Sequence, residues 1–347
     1  MAYRDDSTAI GCGCGCLSTV LAIVVVALFP WLVPLALVLI PIVVWLTRRI
    51  SAYRRSDSVA AVAAPPSSPS PLRRVDATTA PEVGGLPPRE SFAAPSGGMD
   101  RAVEAFYRAK GIWPTDFHCP HFAVCSAGES RFTVAKASFI GPEYERGTVP
   151  RLLFLSLDSG DGSRDPNRHT LEAVRQTELQ TNVRKLVKTQ HWYLTHQLAC
   201  ELLRHFDPKL KVWNTTPYFA HVNTAKCSVN NPHRREAPAR LPAHCRAFLV
   251  GELPLLMPDI LVTQGAKARD AVRDQFRVTH MHEQRIDRAT TGWGIVHGVN
   301  SRGTLWLSTL HPSAYRWFWT EQKAHWPIYA QKVREFVESR TLKLDGA

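Results

Sequence analysis

Arg151-Leu152-Leu153-Phe154-Leu155-Ser156-Leu157 runs straight into Asp158-Ser159-Gly160-Asp161-Gly162, and the fold is read outward from this join. A short apolar run that ends in a polar, glycine-bearing stretch is a buried strand feeding a loop. Helical patterning follows over about 171–188 and 192–206, the second stretch setting Leu194, Leu198, Leu202 and Leu203 on one face. Residues 218–224 have the character of a strand and 238–256 of a helix. Asp259-Ile260-Leu261-Val262-Thr263 is a further strand, after which Gly265 opens a helix. Thr304-Leu305-Trp306-Leu307-Ser308-Thr309-Leu310 is the last strand, and a helix over about 314–339 closes the chain. Strands alternating with helices predict an α/β fold: a three-layer α/β/α sandwich around a short, mainly parallel central sheet. Ligands in such folds lie beyond the carboxyl ends of the strands. Asp158 and His311 each follow a strand's end, so the fold can bring them to one cleft.

The amino-terminal region obeys different rules. Residues 17–46 are thirty positions without a charge, and about 20 apolar residues cross a bilayer core. Pro30, Pro34 and Pro41 predict a kinked, tilted span; a re-entrant hairpin over 30–34 is the alternative, with arms short for a full crossing. Arg48, Arg49, Arg54 and Arg55 follow the run, whereas Arg4 precedes it beside Asp5 and Asp6. The positive-inside rule then places the remainder in the cytoplasm for either topology, as expected of a single-pass protein of the cell inner membrane. Residues 56–98, rich in Ala, Pro, Ser and Gly, form a tether that cannot bury a core. The expected organisation is a tail (1–16), a transmembrane segment in contact with membrane lipid (17–46), a linker (47–98) and a globular domain (99–347). The run Gly11-Cys12-Gly13-Cys14-Gly15-Cys16 is a small-residue approach to the membrane, with metal binding or lipid attachment as alternatives.

Composition narrows the partners. Lys and Arg number 42 against 30 Asp and Glu, a net charge of +12 that calls for an acidic partner, nucleic acid or anionic lipid. With 45% hydrophobic and 21% charged residues, collagen, coiled coil and wholesale disorder are excluded. Eight cysteines are too few for a disulfide scaffold. Cys119 with Cys125 and Cys227 with Cys245 form two pairs, and thiols in a cytoplasmic protein favour metal over disulfide. Four sulfur ligands suit a [4Fe–4S] cluster or zinc, and His118 and His121 nearby keep zinc open. Cys200, on an apolar helix face, reads as core. The stretch 226–245 carries Lys226, His233, Arg234, Arg235 and Arg240, either a phosphate-contacting surface or a solvated basic loop. No Gly-x-Ser-x-Gly elbow or phosphate-loop signature is present.

Three segments, in order, resemble the uracil-DNA glycosylase superfamily, nearest to its iron–sulfur members. The first is Leu153-Phe154-Leu155-Ser156-Leu157-Asp158-Ser159-Gly160. The second contains His221-Val222-Asn223-Thr224-Ala225-Lys226-Cys227, Asn231-Pro232-His233-Arg234, Cys245 and Pro258-Asp259-Ile260-Leu261-Val262-Thr263-Gln264-Gly265-Ala266. The third is Ser308-Thr309-Leu310-His311-Pro312-Ser313. The resemblance spans about 110–340. It implies a DNA glycosylase that flips a uracil or modified base and hydrolyses its N-glycosidic bond. Asp158 would orient or activate water and His311 would donate to the departing base, the roles such chemistry needs. Asn223 would pair with the flipped base. Arg234, Arg235 and Ser313 would contact DNA, and Cys119, Cys125, Cys227 and Cys245 would hold a structural [4Fe–4S] cluster. Three features depart from the family pattern, the first being that the opening motif lacks the expected proline and flanking acid or glutamine. The base-stacking phenylalanine is missing, leaving His191-Trp192-Tyr193 as the nearest aromatics and Trp192 as the stacking candidate, and the first cysteine pair is unusually wide. The resulting expectation is a membrane-tethered glycosylase acting on DNA in anti-phage defence or repair, with no protein partner. The alternative is a catalytically inactive member that binds or senses nucleic acid.

Overall fold

The computed structural model describes residues 98–160, 162–229, 237–286, 289–313 and 315–345. The expected span 17–46, the linker, and Arg234 and Arg235 lie outside the described residues. Among the described residues no helix is long and apolar enough to cross a membrane.

The chain begins with α1 (Gly98–Ala109), β1 (Ile112–Trp113), β2 (Asp116–Phe117), α2 (Phe122–Ser126), β3 (Phe132–Thr133), β4 (Phe139–Ile140), α3 (Pro142–Arg146) and β5 (Leu152–Ser156). There follow α4 (Leu171–Gln180), α5 (His191–Leu203), β6 (Phe219–Asn223), β7 (Ser228–Val229), α6 (Arg240–Cys245), α7 (Leu249–Leu256) and β8 (Ile260–Gln264). The last elements are α8 (Ala266–Gln275), β9 (Arg277–Ile286), β10 (Ala289–His297), β11 (Thr304–Thr309) and α9 (Tyr315–Asp345).

Seven strands form one sheet in the order β4-β6-β5-β8-β11-β10-β9. The four central strands, β6, β5, β8 and β11, run parallel, while β4, β10 and β9 join antiparallel. The sheet is therefore mixed, and the expectation of a short, mainly parallel sheet is corrected at its edges. The hairpin β9–β10 escapes sequence reading because Arg277-Val278-Thr279-His280-Met281-His282-Glu283-Gln284-Arg285-Ile286 is polar along an edge strand and shows no apolar run. The central strands were legible for the opposite reason. Every residue of β5, β8 and β11 is buried, as befits strands covered on both sides.

Strand alternation divides those apolar runs between two cores. Leu153, Leu155, Val222, Leu261 and Trp306 pack with Tyr107 of α1, Leu253 of α7 and Val272 of α8. Leu152, Phe154, Phe219, Val262 and Leu307 face Leu194, Leu198 and Leu202 of α5 and Tyr329 and Val333 of α9. Helices thus flank the sheet on both sides. The helix expected over 171–188 stops at Gln180, where Thr181 turns extended (φ −63°, ψ 117°), and a separate turn over Val183–Lys185 follows. The one expected over 238–256 is α6, a turn over Arg246–Phe248, and α7, which Met257 ends in the left-handed region (φ 45°).

Candidate functional site

At the carboxyl ends of the parallel strands, alternation puts Ser156, His221, Asn223 and Gln264 on the side that faces α5. The first turn of α5 closes on them. Ser156 donates to Gln264 Oε1 at 2.7 Å, and Gln264 Nε2 donates to Thr195 Oγ1 at 3.0 Å. Nε2 of His221 lies 2.9 Å from Ser156 Oγ, and Nε2 of His191 lies 3.4 Å from Gln264 Oε1. His311, just past β11, stacks on His191 with ring centroids 5.1 Å apart and planes 9° from parallel. Gly265 permits this approach: its φ is +96°, and a Cβ there would stand 3.0 Å from His311 Cβ.

His311 is positioned from two directions. Its Nδ1 accepts the Ser313 N–H at 3.1 Å, so the neutral ring carries its proton on Nε2. The preceding residue is held by α9, where the buried carboxyl group of Glu321 accepts the Leu310 N–H at 2.6 Å. Tyr329 Oη lies 3.1 Å from Glu321 Oε1 and donates to Ser308 O at 3.2 Å. Burial, with a smaller contribution from His191, pushes His311 down to about 4. Burial also lowers His191, and it lowers His221 together with the charges of His191, Lys136, Lys226 and His311. All three imidazoles are neutral near pH 7, which makes them hydrogen-bonding groups rather than cations.

Asn223 is buried and its Oδ1 has no hydrogen-bond partner among the described residues. An orphaned buried acceptor costs about 1–3 kcal/mol, which a ligand's donor can recover. Asp158 is half-buried past β5, and its Oδ1 accepts the Gly160 N–H at 3.1 Å. Burial raises its pKa, and that hydrogen bond opposes the rise. Trp192 packs edge-on against His196 (5.0 Å), His221 (5.2 Å) and Phe219 (5.8 Å), at the border of the second core. The ring parallel to His311 is that of His191, its neighbour. Ser313 is exposed in the loop after His311. Sequence reading passed over Ser156, Thr195, His221, Gln264 and Glu321. The available signal for Ser156 and Gln264 was a polar residue closing an otherwise apolar strand.

The four candidate cysteines lie in or against the first core, on the other side of the sheet. Cys125, Cys227 and Cys245 are buried in the first core, with Cys119 packed against it, and all four are free thiols. Burial, then the charges of Cys245 and Cys119, pushes Cys125 up to about 11. Cys227 is raised by burial and by the other three thiols. Cys245 is raised by burial, while the backbone N–H groups of Lys226 and Cys227 directed at its sulfur oppose the rise. Among the described residues no group of three or more His, Cys, Asp or Glu is set to hold a metal ion. By donor type alone, four sulfurs suit an iron–sulfur cluster or zinc. Beside them, Lys226 and Glu252 form a fully buried ion pair. Glu252 also accepts from Tyr107 Oη at 2.6 Å and Ser138 Oγ at 2.5 Å.

No protein-family model matches the chain, and no curated protein matches it.

Proposed function

We propose that this chain is a membrane-tethered DNA glycosylase, its three-layer α/β/α domain held at the cytoplasmic face of the membrane by residues 17–46. The observation that carries this reading is a buried acceptor, Asn223 Oδ1, unpartnered among the described residues at the carboxyl end of β6, with a neutral imidazole donor, His311 Nε2–H, at the carboxyl end of β11 in the same sheet. An amide reads the hydrogen-bonding edge of a base, and a neutral imidazole donates to the oxygen on which charge develops as the base departs. Asp158 supplies a carboxylate for the sugar cation and the attacking water. The raised pKa of that carboxyl places its ionisation nearer neutrality than an ordinary aspartate's. Cys119, Cys125, Cys227 and Cys245 would hold a [4Fe–4S] cluster, with zinc as the lesser alternative. When bound, such a cluster supplies cross-linking between α2, the segment before β7 and α6 rather than a reacting group. Arg234, Arg235 and Ser313 would contact phosphates. A tether at the inner face of the membrane would meet incoming DNA first, which favours defence over chromosomal repair.

One observation favours a second reading, an inactive nucleic-acid binder: the Asp158 carboxylate is engaged by its own loop. Excision assays with the full-length chain decide between them. Oligonucleotides carrying uracil or modified bases should acquire alkali-labile sites. His311→Ala should slow single-turnover excision roughly 100- to 1000-fold, the scale of a lost oxyanion donor, and Asp158→Asn should slow it with DNA affinity nearly intact. Wild-type rates in both variants would remove the assigned site. DNA binding without excision of any base would leave the inactive binder.

A further inference from the structure

The hydrogen bonds around Gln264 fix more than positions; they fix which nitrogens carry protons. Thr195 spends its hydroxyl hydrogen on the His191 carbonyl at 3.1 Å, so its oxygen can only accept from Gln264. The Gln264 amide is thereby oriented with NH₂ toward Thr195 and Oε1 toward Ser156 and His191. Ser156 donates to that Oε1, and its oxygen must then accept from His221 Nε2–H. By the same logic the His191 nitrogen facing Oε1 is Nε2–H. Each ring is neutral, so each keeps a lone pair on Nδ1. Among the described residues the hydrogen bonds of the two rings engage Nε2 and leave Nδ1 open, and neither Nδ1 is among the sealed, unpartnered atoms that include Asn223 Oδ1. His221 and Asn223 stand two residues apart on the same side of β6.

We propose that the Thr195–Gln264–Ser156 chain locks His221 as an Nδ1 acceptor beside Asn223, making His221 a specificity-determining residue. The site then selects a heterocycle with a hydrogen-bond donor group next to the edge that Asn223 reads, over the analogue with a methyl group there. A methyl group would cover the His221 lone pair and leave it unpaired, whereas an amino or hydroxyl hydrogen satisfies it. His191, locked in the same way, offers a second acceptor within 6.5 Å, measured between ring centroids. The choice of a pyrimidine as ligand rests on the glycosylase reading; the tautomer lock does not.

The test uses the full-length chain with 15N-labelled histidine. Near pH 7, His221 and His191 should show protonated Nε2 and unprotonated Nδ1. Thymine and 5-aminouracil, which differ by amino for methyl, are then titrated as free bases. The expected result is about tenfold or greater preference for 5-aminouracil, the order set by one satisfied hydrogen bond, with the His221 Nδ1 signal moving only for that base. Ser156→Ala should spread the His221 proton over both nitrogens and erase the preference. Thr195→Val, which frees the Gln264 amide to turn, should do the same if Ser156→Ala folds poorly. A His221 protonated on Nδ1, equal affinities, or no response to either base overturns the inference. Excision of bases from oligonucleotides with equal free-base affinities would sink this inference alone. The preference without any excision would sink the glycosylase reading alone.

Discussion

The two sides of the sheet each bury a polar cluster, and the clusters are finished differently. On the α7 side, Lys226, Glu252, Tyr107 and Ser138 satisfy one another in a closed network behind the four thiols. On the α5 side, Asn223 Oδ1 has no partner among the described residues, and the tautomers fixed at His191 and His221 leave a lone pair on each Nδ1. A fully paired buried network specifies and holds structure. An incomplete one costs stability that a ligand's donor returns. The difference makes the α5 side the candidate for ligand binding, and it can be attacked by mutation on both sides.

The largest effect belongs to the thiols. Cys227→Ser or Cys245→Ser should leave little folded protein, because a cluster's binding energy is part of the folding energy. Cys200→Ala, outside the group, should be mild. Purified wild-type chain should carry about four iron per molecule; one zinc and no iron in anaerobically prepared protein would refute the cluster. Next comes Lys226→Met, which strands the Glu252 carboxylate in the first core. It should cost about 3–5 kcal/mol in denaturant unfolding, and adding Glu252→Gln should recover much of the loss. An unaffected single variant would mean that the pair is not closed.

A smaller, pH-dependent effect sits behind His311. Burial raises Glu321 to about 8 from an ordinary 4.5, with the Leu310 N–H and Tyr329 hydroxyl opposing the rise. The folded chain therefore keeps a proton that the unfolded chain releases. The associated stability is fully present below pH 4.5 and is lost as pH rises toward about 8. Glu321→Gln removes that loss, so its melting temperature relative to wild type should climb by several degrees between pH 5 and pH 8.5, at roughly 2–4 °C per kcal/mol. The histidines act with the opposite sign. His311 and His196, both pushed to about 4, contribute stability present above pH 6.5 and lost as pH falls from there.

The smallest effect is the sharpest for the comparison. Asn223→Leu removes the orphaned acceptor and should stabilise the chain by about 1 kcal/mol while abolishing base binding. A destabilised variant would show that Asn223 already has its partner, and the contrast between the two sides would fail.

The central strands could be read from the sequence because each is buried on both sides, and such strands announce themselves as unbroken apolar runs. Asp158 and His311 could be picked out as candidates because residues just past such runs fall at the carboxyl ends of a parallel sheet, whereas Asn223, inside β6, was a candidate through the family resemblance alone. The two cysteine pairs were visible from residue type alone. The polar hairpin β9–β10 was not, because an edge strand buries too little to leave a pattern. Nor did periodicity choose between Trp192 and His191, adjacent residues in the first turn of α5, one turned into aromatic packing and the other onto His311. The hydrogen-bond chain from Thr195 to His221 also waited for the fold, since its members come from α5, β5, β6 and β8. Local sequence determines which segments become strands and helices, through burial and backbone preference. Which lone pairs stay open is a property of contacts between segments far apart in the chain, and only tertiary packing decides it.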